Sequence, residues 1–399
     1  MAVAGIIAEY NPLHGGHLYQ LRQVRERLGP ETAVLCAMSG NFVQRGDLAL
    51  LPKHARAEAA VRSGADLVLE IPLSWACAPA ERFARGGVEV LLGTGLVTHL
   101  AFGSESGDAE AIRRAAEGLE SPDFPARLRR QLGGAVSFAA ARQRALAELI
   151  GAEGADVLSR PNDILAVEYA KALRWAGGGA ELVAIPRKGA GHDGDGGEYP
   201  SAGSIRRMLR DGRRAEALAA MAPAMGTIYE AAERAGQAPV FAGTAERAIL
   251  AQLRRMGEED FLALDAGSEG LGNRLAAAAR EAASVEELLD RAKTKRYAYA
   301  RLRRLVLWAY LGLKPETLPV RVPYLRPLAM NARGRALLAA MRKEAALPIL
   351  TKPADVRRLS PEAQAVFRQE VLATDLYTLA FPGEPAPGGA EWREGPRVL

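Results

Sequence analysis

The chain has 399 residues, 49% of them hydrophobic and 25% charged, with a mean hydropathy of −0.07, enough for two or three domains with sizeable cores. It carries no run of eighteen apolar residues, and its first residues, MAVAGIIAEYN, lack a basic lead, so neither a transmembrane helix nor a signal peptide is expected. A net charge of +5 is compatible with a polyanionic partner but does not demand one, and Cys36 and Cys77, set in apolar runs, read as reduced core residues of a cytoplasmic protein.

Apolar runs and helical stretches alternate over the first two hundred residues. VAGIIAEY opens the chain, followed by TAVLCAM (32–38), ADLVLEIP (65–72), VTHLAFGS (97–104) and AELVAIPR (180–187). Between the first two lies HLYQLRQVRERL, with Leu18, Leu21, Val24 and Leu28 recurring at helical spacing. Strand, helix, strand in repetition predicts a parallel sheet of Rossmann-like α/β type, with ligands at the carboxyl ends of its strands. A glycine-rich stretch, KGAGHDGDGGEYPSAGS (188–204), interrupts the pattern. Residues from about 212 onwards read as almost wholly helical. The expected division is 1–211 as an α/β nucleotide-binding domain, 212–382 as a helical domain, and the Pro/Gly-rich 383–399 as a loose tail.

The chemistry concentrates where the first strand ends, in NPLHGGH (11–17). Two of the five histidines stand here with Gly15 and Gly16 between them. Glycines allow close backbone approach, a helix N-terminus favours anions, and His14 and His17 add donors for charge on a phosphate oxygen. This suggests a triphosphate site, although GxxxxGK[ST] is absent. A capped turn explains the same residues; a metal site fits less well, since no third ligand lies nearby. Downstream, Arg187 follows a strand at the same edge, and Arg206 lies in SAGSIRRML, with a planar guanidinium suited to phosphate. Gly103 and Asn162 each read alone as a turn glycine and a helix cap. The segment SGNFVQRGDLALLPKHARAE carries Gln44, Arg45, Lys53, His54 and Arg56, and fits a flap, a substrate pocket or a solvated loop equally.

The histidine loop resembles the HxGH signature of the nucleotidyltransferase superfamily. The wider frame, GIIAEYNPLHGGHLYQL with MSGNFVQRGDLALLPKHARAEAAVRSGADLVLEIP, LAFGSESGD, RPNDILAVEYAKAL, AIPRKGAGHD and KTKRYAYARLRRLVLWAYLG, resembles the bacterial tRNA(Met) cytidine acetate ligases over roughly residues 3 to 380. The resemblance implies a HUP-type fold, ATP with its Mg²⁺, acetate, and elongator tRNA(Met) as partner. The product would be N4-acetylcytidine at the wobble position, formed through acetyl-adenylate in the cytoplasm. It implies His14, His17 and Arg206 as catalytic. It further implies an ATP site of Ile7, Ala8, Glu9, Tyr10, Asn11, Pro12, Leu13, His14, Gly15, Gly16, His17, Leu18, Tyr19 and Gln20, with Gly103, Asn162, Arg187, Ser201 and Ser204. Gly203 departs from the pattern, standing where a Thr is usual. No protein partner and no resident metal are implied, and no base for the cytidine amine is evident.

RAKTKRYAYARLRR (291–304) has seven basic residues and no acid. Read as one helix, it is expected to border tRNA through Lys293, Lys295, Arg296 and Arg303. The alternative is an adenylyltransferase for a phosphorylated small molecule, which leaves the helical half without a task; a non-catalytic RNA-binding protein leaves the histidines without one.

Overall fold

The computed structural model describes residues 2–132, 136–188, 198–264 and 270–399. All five expected strands are present, as β1 (Val3–Ala8), β2 (Ala33–Ser39), β5 (Leu67–Ile71), β6 (His99–Ser104) and β7 (Glu181–Pro186). They lie parallel in the order β7-β6-β1-β2-β5, so the sheet reverses direction of growth between β1 and β6. Helix α1 (Gly15–Leu28) joins β1 to β2, and α2 (Lys53–Arg62) lies between β2 and β5. In β2 every residue is buried: Leu35 and Ala37 join one core cluster, while Val34, Cys36 and Met38 join another. This two-residue alternation explains why parallel strands covered on both faces read as continuous apolar runs. Cys36 and Cys77 are free and buried.

Four strands carry no sequence signal. β3 (Phe42–Val43) and β4 (Asp47–Leu48) form a small antiparallel hairpin inside the long β2–α2 connection. β8 (Pro327–Met330) pairs antiparallel with β5, and β9 (Arg397–Val398) pairs parallel with β8, extending the sheet to seven strands. The mostly helical second half therefore returns two strands to the sheet begun by the first. The cores also interlock: Phe42, Leu48, Leu73 and Cys77 pack in one cluster with Ile249, Leu288, Leu302 and Trp308.

Two expectations need correction. Residues 383–399 are not a loose tail, because Glu391 is buried between Lys53 and Arg326 and β9 follows it. Pro and Gly in this segment mark a turn that precedes an anchored end. The basic stretch 291–304 is not one helix either. One helix (Val285–Ala292) stops, Lys293 to Ala298 connect, and another (Tyr299–Leu311) begins. The Lys293 ammonium takes the place of continued helix by donating to the Thr294 carbonyl at 2.8 Å and to the Tyr297 carbonyl.

Candidate active site

The site begins with a turn forced at the end of β1. Tyr10 has φ 46°, the one positive φ at a non-glycine residue among those described. A left-handed tyrosine is costly unless its surroundings hold it. Here the hydroxyl meets Cys36 Sγ at 3.4 Å and the ring meets His17 edge-on at 5.0 Å. Asn11 then braces the loop, its Oδ1 accepting from the Leu50 amide at 2.7 Å and from Arg206 Nη1 at 3.1 Å.

His14 caps α1. Its Nδ1 accepts from the Gly16 amide at 3.1 Å, and His17 Nδ1 accepts from the His14 amide at 3.2 Å. A nitrogen that accepts from an N–H carries no proton, so both neutral rings must hold theirs on Nε2. The rings lie against each other, tilted by 37°, with centroids 3.9 Å apart. Burial, then the Arg187 guanidinium, pushes His14 down to about 4; burial, His14 and Arg187 push His17 well below its ordinary value. At neutral pH the pair is two uncharged Nε2–H donors, and among the described residues no group takes either one.

The glycines do not simply leave the backbone bare. A Cβ on Gly15 would come 2.4 Å from Tyr199 Cδ1, and one on Gly16 would come 3.0 Å from His14 Cε1. Gly15 thus lets Tyr199 lie on the loop, and Gly16 lets the His14 ring fold back over its own helix start.

Gly103, Asn162 and Arg187, far apart in sequence, come together. The Arg187 side chain runs over Gly103, with Cγ 3.5 Å from where a Cβ would be, and Nη1 donates to Asn162 Oδ1 at 3.4 Å. Asn162 is oriented by Glu105, which accepts from its amide N–H at 3.2 Å and from its side chain. Ser201 caps the helix Ala202–Arg210, accepting from the Ser204 amide at 3.1 Å. Residues 189–197 of the glycine-rich stretch lie outside the described residues.

Arg206, expected to be catalytic, is engaged here by protein groups. It is 6% exposed, and besides Asn11 it binds Asp47 Oδ2 at 2.7 Å, so its fork joins the histidine loop to the β3–β4 hairpin. Asp47 is invisible in the sequence because a lone acid in a loop carries no signal. The segment from Gln44 to Arg56 is neither flap nor solvated loop throughout. Arg56 is fully buried and donates to the carbonyls of Glu9 (2.6 Å), Ser39 (3.1 Å), Gly40 and Leu51 (3.0 Å), tying together the ends of β1 and β2. Lys53 is buried between Glu70 (2.6 Å) and Glu391 (2.7 Å), and burial, then Lys53 and Arg326, depresses His54 to about 3. Gln44 and Arg45 belong to the hairpin loop, where the Gln44 amide donates to Glu9 Oε1 at 2.8 Å and its carbonyl accepts from Arg304 at 3.1 Å.

In the basic stretch, Lys295, Arg296 and Arg303 are exposed and Lys293 half-buried. Lys293 and Arg303 both lie over the Tyr299 ring, at 5.5 and 5.8 Å, while Tyr297 is buried. Among the described residues, no group of three or more His, Cys, Asp or Glu is placed to hold a metal ion, and no helix is long and apolar enough to cross a membrane.

The family described as HIGH Nucleotidyl Transferase matches residues 1–389. The tRNA(Met) cytidine acetate ligase of Fervidobacterium nodosum is 33% identical over 96% of each chain, and that of Syntrophotalea carbinolica 37% identical over 96% of this chain and 95% of its own. Two crystal structures of Thermotoga maritima TmcAL, one apo and one bound with alpha-thio ATP, superpose with TM-scores of 0.94 and 0.93 at 33% identity, covering both chains fully.

Proposed function

The chain belongs to the tRNA(Met) cytidine acetate ligases within the HIGH nucleotidyl transferases, and we propose how its residues divide the reaction. The enzyme ligates acetate to N4 of the wobble cytidine of elongator tRNA(Met) in two steps. An acetate oxygen attacks the α-phosphorus of ATP and pyrophosphate departs, leaving acetyl-adenylate. The cytidine amine then attacks the acetyl carbonyl and AMP departs.

The observation that carries this reading is the state of the histidine pair: neutral, in ring contact and fixed with Nε2–H uncommitted, beside Arg187. Phosphoryl chemistry asks chiefly for positioning and for donors that meet developing charge. His14 and His17 meet the α-phosphate oxygens, and Arg187 and the Ser201–Ser204 helix start receive the remaining phosphates. Mg²⁺ accompanying the nucleotide would shield its charge. Arg206 acts by holding Asn11 and hence the loop. The helical part between about 212 and 382 holds the tRNA through Lys293, Lys295, Arg296 and Arg303, in the cytoplasm where that tRNA is found.

Acetate-dependent ATP–pyrophosphate exchange is expected without tRNA. In His17→Ala it should slow roughly 10²–10³-fold, the loss expected for one transition-state donor. Near-normal exchange in that variant would reduce the pair to a helix cap, and exchange driven by a phosphorylated small molecule in place of acetate would refute the ligase reading. Replacing Lys295, Arg296 and Arg303 together by Ala should spare exchange, weaken tRNA binding, and lower the slope of log affinity against log salt by about 1 for each phosphate that is no longer neutralised.

A further inference from the structure

Of the carboxyl groups around the histidine loop and the Asn162 corner, Glu105, Asp163 and Asp47 have both oxygens engaged by hydrogen bonds, and Glu9 does not. Glu105 accepts from Asn162 and, through Oε2, from the Asp163 amide at 2.9 Å; Asp163 accepts from Ser104 and from the Glu105 and Ser106 amides at 3.0 Å each. Asp47 accepts from Leu48 through one oxygen and from Arg206 and Arg210 through the other. Glu70, farther from the loop, is buried against Lys53 and Arg326, its Oε2 met only by the Arg326 charge at 3.5 Å. Glu9, at the end of β1 in the loop leading to the histidines, accepts from the Gln44 amide through Oε1 at 2.8 Å. Among the described residues nothing donates to its Oε2.

The two-step reaction leaves one task unassigned. A cytidine amine that attacks a carbonyl must shed a proton, and neither histidine can take it while its Nδ1 already accepts an amide proton and its basicity is depressed. We propose that Glu9 Oε2 accepts the N4 amine of the incoming cytidine, orients it against the acetyl carbonyl and takes the proton it sheds. The inference rests on the ligase reading above. The N4–C bond forms, the bond from carbonyl carbon to the adenylate oxygen breaks, and AMP leaves with the electron pair. One amine proton passes to Glu9 and then to water.

The surroundings suit a base. Burial raises the Glu9 pKa; the Gln44 amide, Arg45 beside it on the hairpin, Arg56 on α2 and Arg206 on the helix Ala202–Arg210 pull the other way, and the balance is upward. Tyr169 and Cys77 also lie within electrostatic reach, but burial keeps both protonated and uncharged at neutral pH. A carboxyl with a raised pKa is a better proton acceptor, and it works only when ionised. Transfer should therefore fall as pH drops through that raised value.

The test is single-turnover transfer from preformed acetyl-adenylate to tRNA, followed against pH, in the wild type, Glu9→Gln and Glu9→Asp. Glutamine keeps an oxygen for the Gln44 amide. Its transfer should slow roughly 100-fold and lose the acid limb, while aspartate should keep the limb and recover part of the rate. A Gln variant within about threefold of wild type, or slowed with its acid limb intact, overturns the assignment, as does an Asp variant no better than Gln. If Glu9→Gln does not fold, the Asp variant decides alone: a slower rate with the limb retained supports the base, an unchanged rate removes it. Failure of the wild type itself to transfer from acetyl-adenylate would be a failure of the ligase reading.

Discussion

His14 and His54 are both buried, neutral imidazoles, and both make the fold sensitive to acid. Each takes up a proton near pH 6.5 when unfolded but only at about 4 and about 3, respectively, when folded. Above 6.5 neither adds any pH dependence. Below it the unfolded chain binds protons first, so stability falls with pH, by about 2 kcal/mol apiece at pH 5. Urea unfolding should show this loss, and His54→Gln should remove about one proton's worth of slope. An unchanged slope would mean that His54 is not held neutral. At Gly203 the structure leaves room, since a Cβ there would find Ser201 Oγ as its nearest atom at 3.7 Å. Gly203→Thr should be tolerated, with stability unchanged or raised by roughly 0.5 kcal/mol from helix propensity, and should lower the KM for ATP by restoring the family's hydroxyl. A raised KM would show that this helix start does not meet the nucleotide.

The β3–β4 hairpin is the element that joins the nucleotide loop to the helical half. Glu9 and Arg206 hold one side of it, and Arg304 with the backbone at Arg303 holds the other. Gly46 makes the second contact possible: its φ is 75°, and a Cβ there would lie 2.4 Å from Arg304 N and 2.7 Å from Arg303 C. Neither backbone atom can give way cheaply. Gly46→Ala should cost roughly 2–4 kcal/mol in chemical denaturation and reduce tRNA acetylation more than pyrophosphate exchange. Equal loss of both activities would place the hairpin in the ATP step alone. At this scale the sequence is legible wherever burial on both faces writes a long apolar run, as in β1, β2 and β5. The two-residue strands β3 and β4 are too short for any periodicity, and β8, Pro327–Met330, lies amid helical composition and owes its conformation to β5 alongside. The break at Lys293–Ala298 is equally hidden, because the basic residues suit a helix and only tertiary contacts stop it. The meeting of Gly103, Asn162 and Arg187 is legible through the family resemblance alone; the fixing of both histidine tautomers depends on amide directions that no sequence pattern records.

Across the whole molecule, the C-terminal segment seals a charged interior. Glu391 lies with Lys53 and Arg326 near Glu70 and Glu370, and Trp392 packs edge-on against Phe367 with centroids 4.8 Å apart. Burial works against the Glu391 charge, but Lys53 and Arg326 hold its carboxyl well below the ordinary range; burial and the Glu70 charge push Glu370 well above it. Removing Glu391 leaves the two buried cations, Lys53 and Arg326, without the carboxylate that ion-pairs with both, and with Glu70 as their remaining ion-pair partner. Glu391→Ala, or truncation after Gly388, should cost about 3–5 kcal/mol, with little relief from added salt because the charges are beyond the reach of counterions. A melting temperature close to wild type would mean that water replaces the carboxylate without penalty.

The position of β9 also sets an order in time. β1 leaves the ribosome long before the residues that flank β8 and neutralise Lys53 and Arg326. A nascent chain can thread its five parallel strands early but must carry an open, charged seam until Glu391 and β9 have emerged. A product that stops short of Glu391 therefore stays marked by that seam.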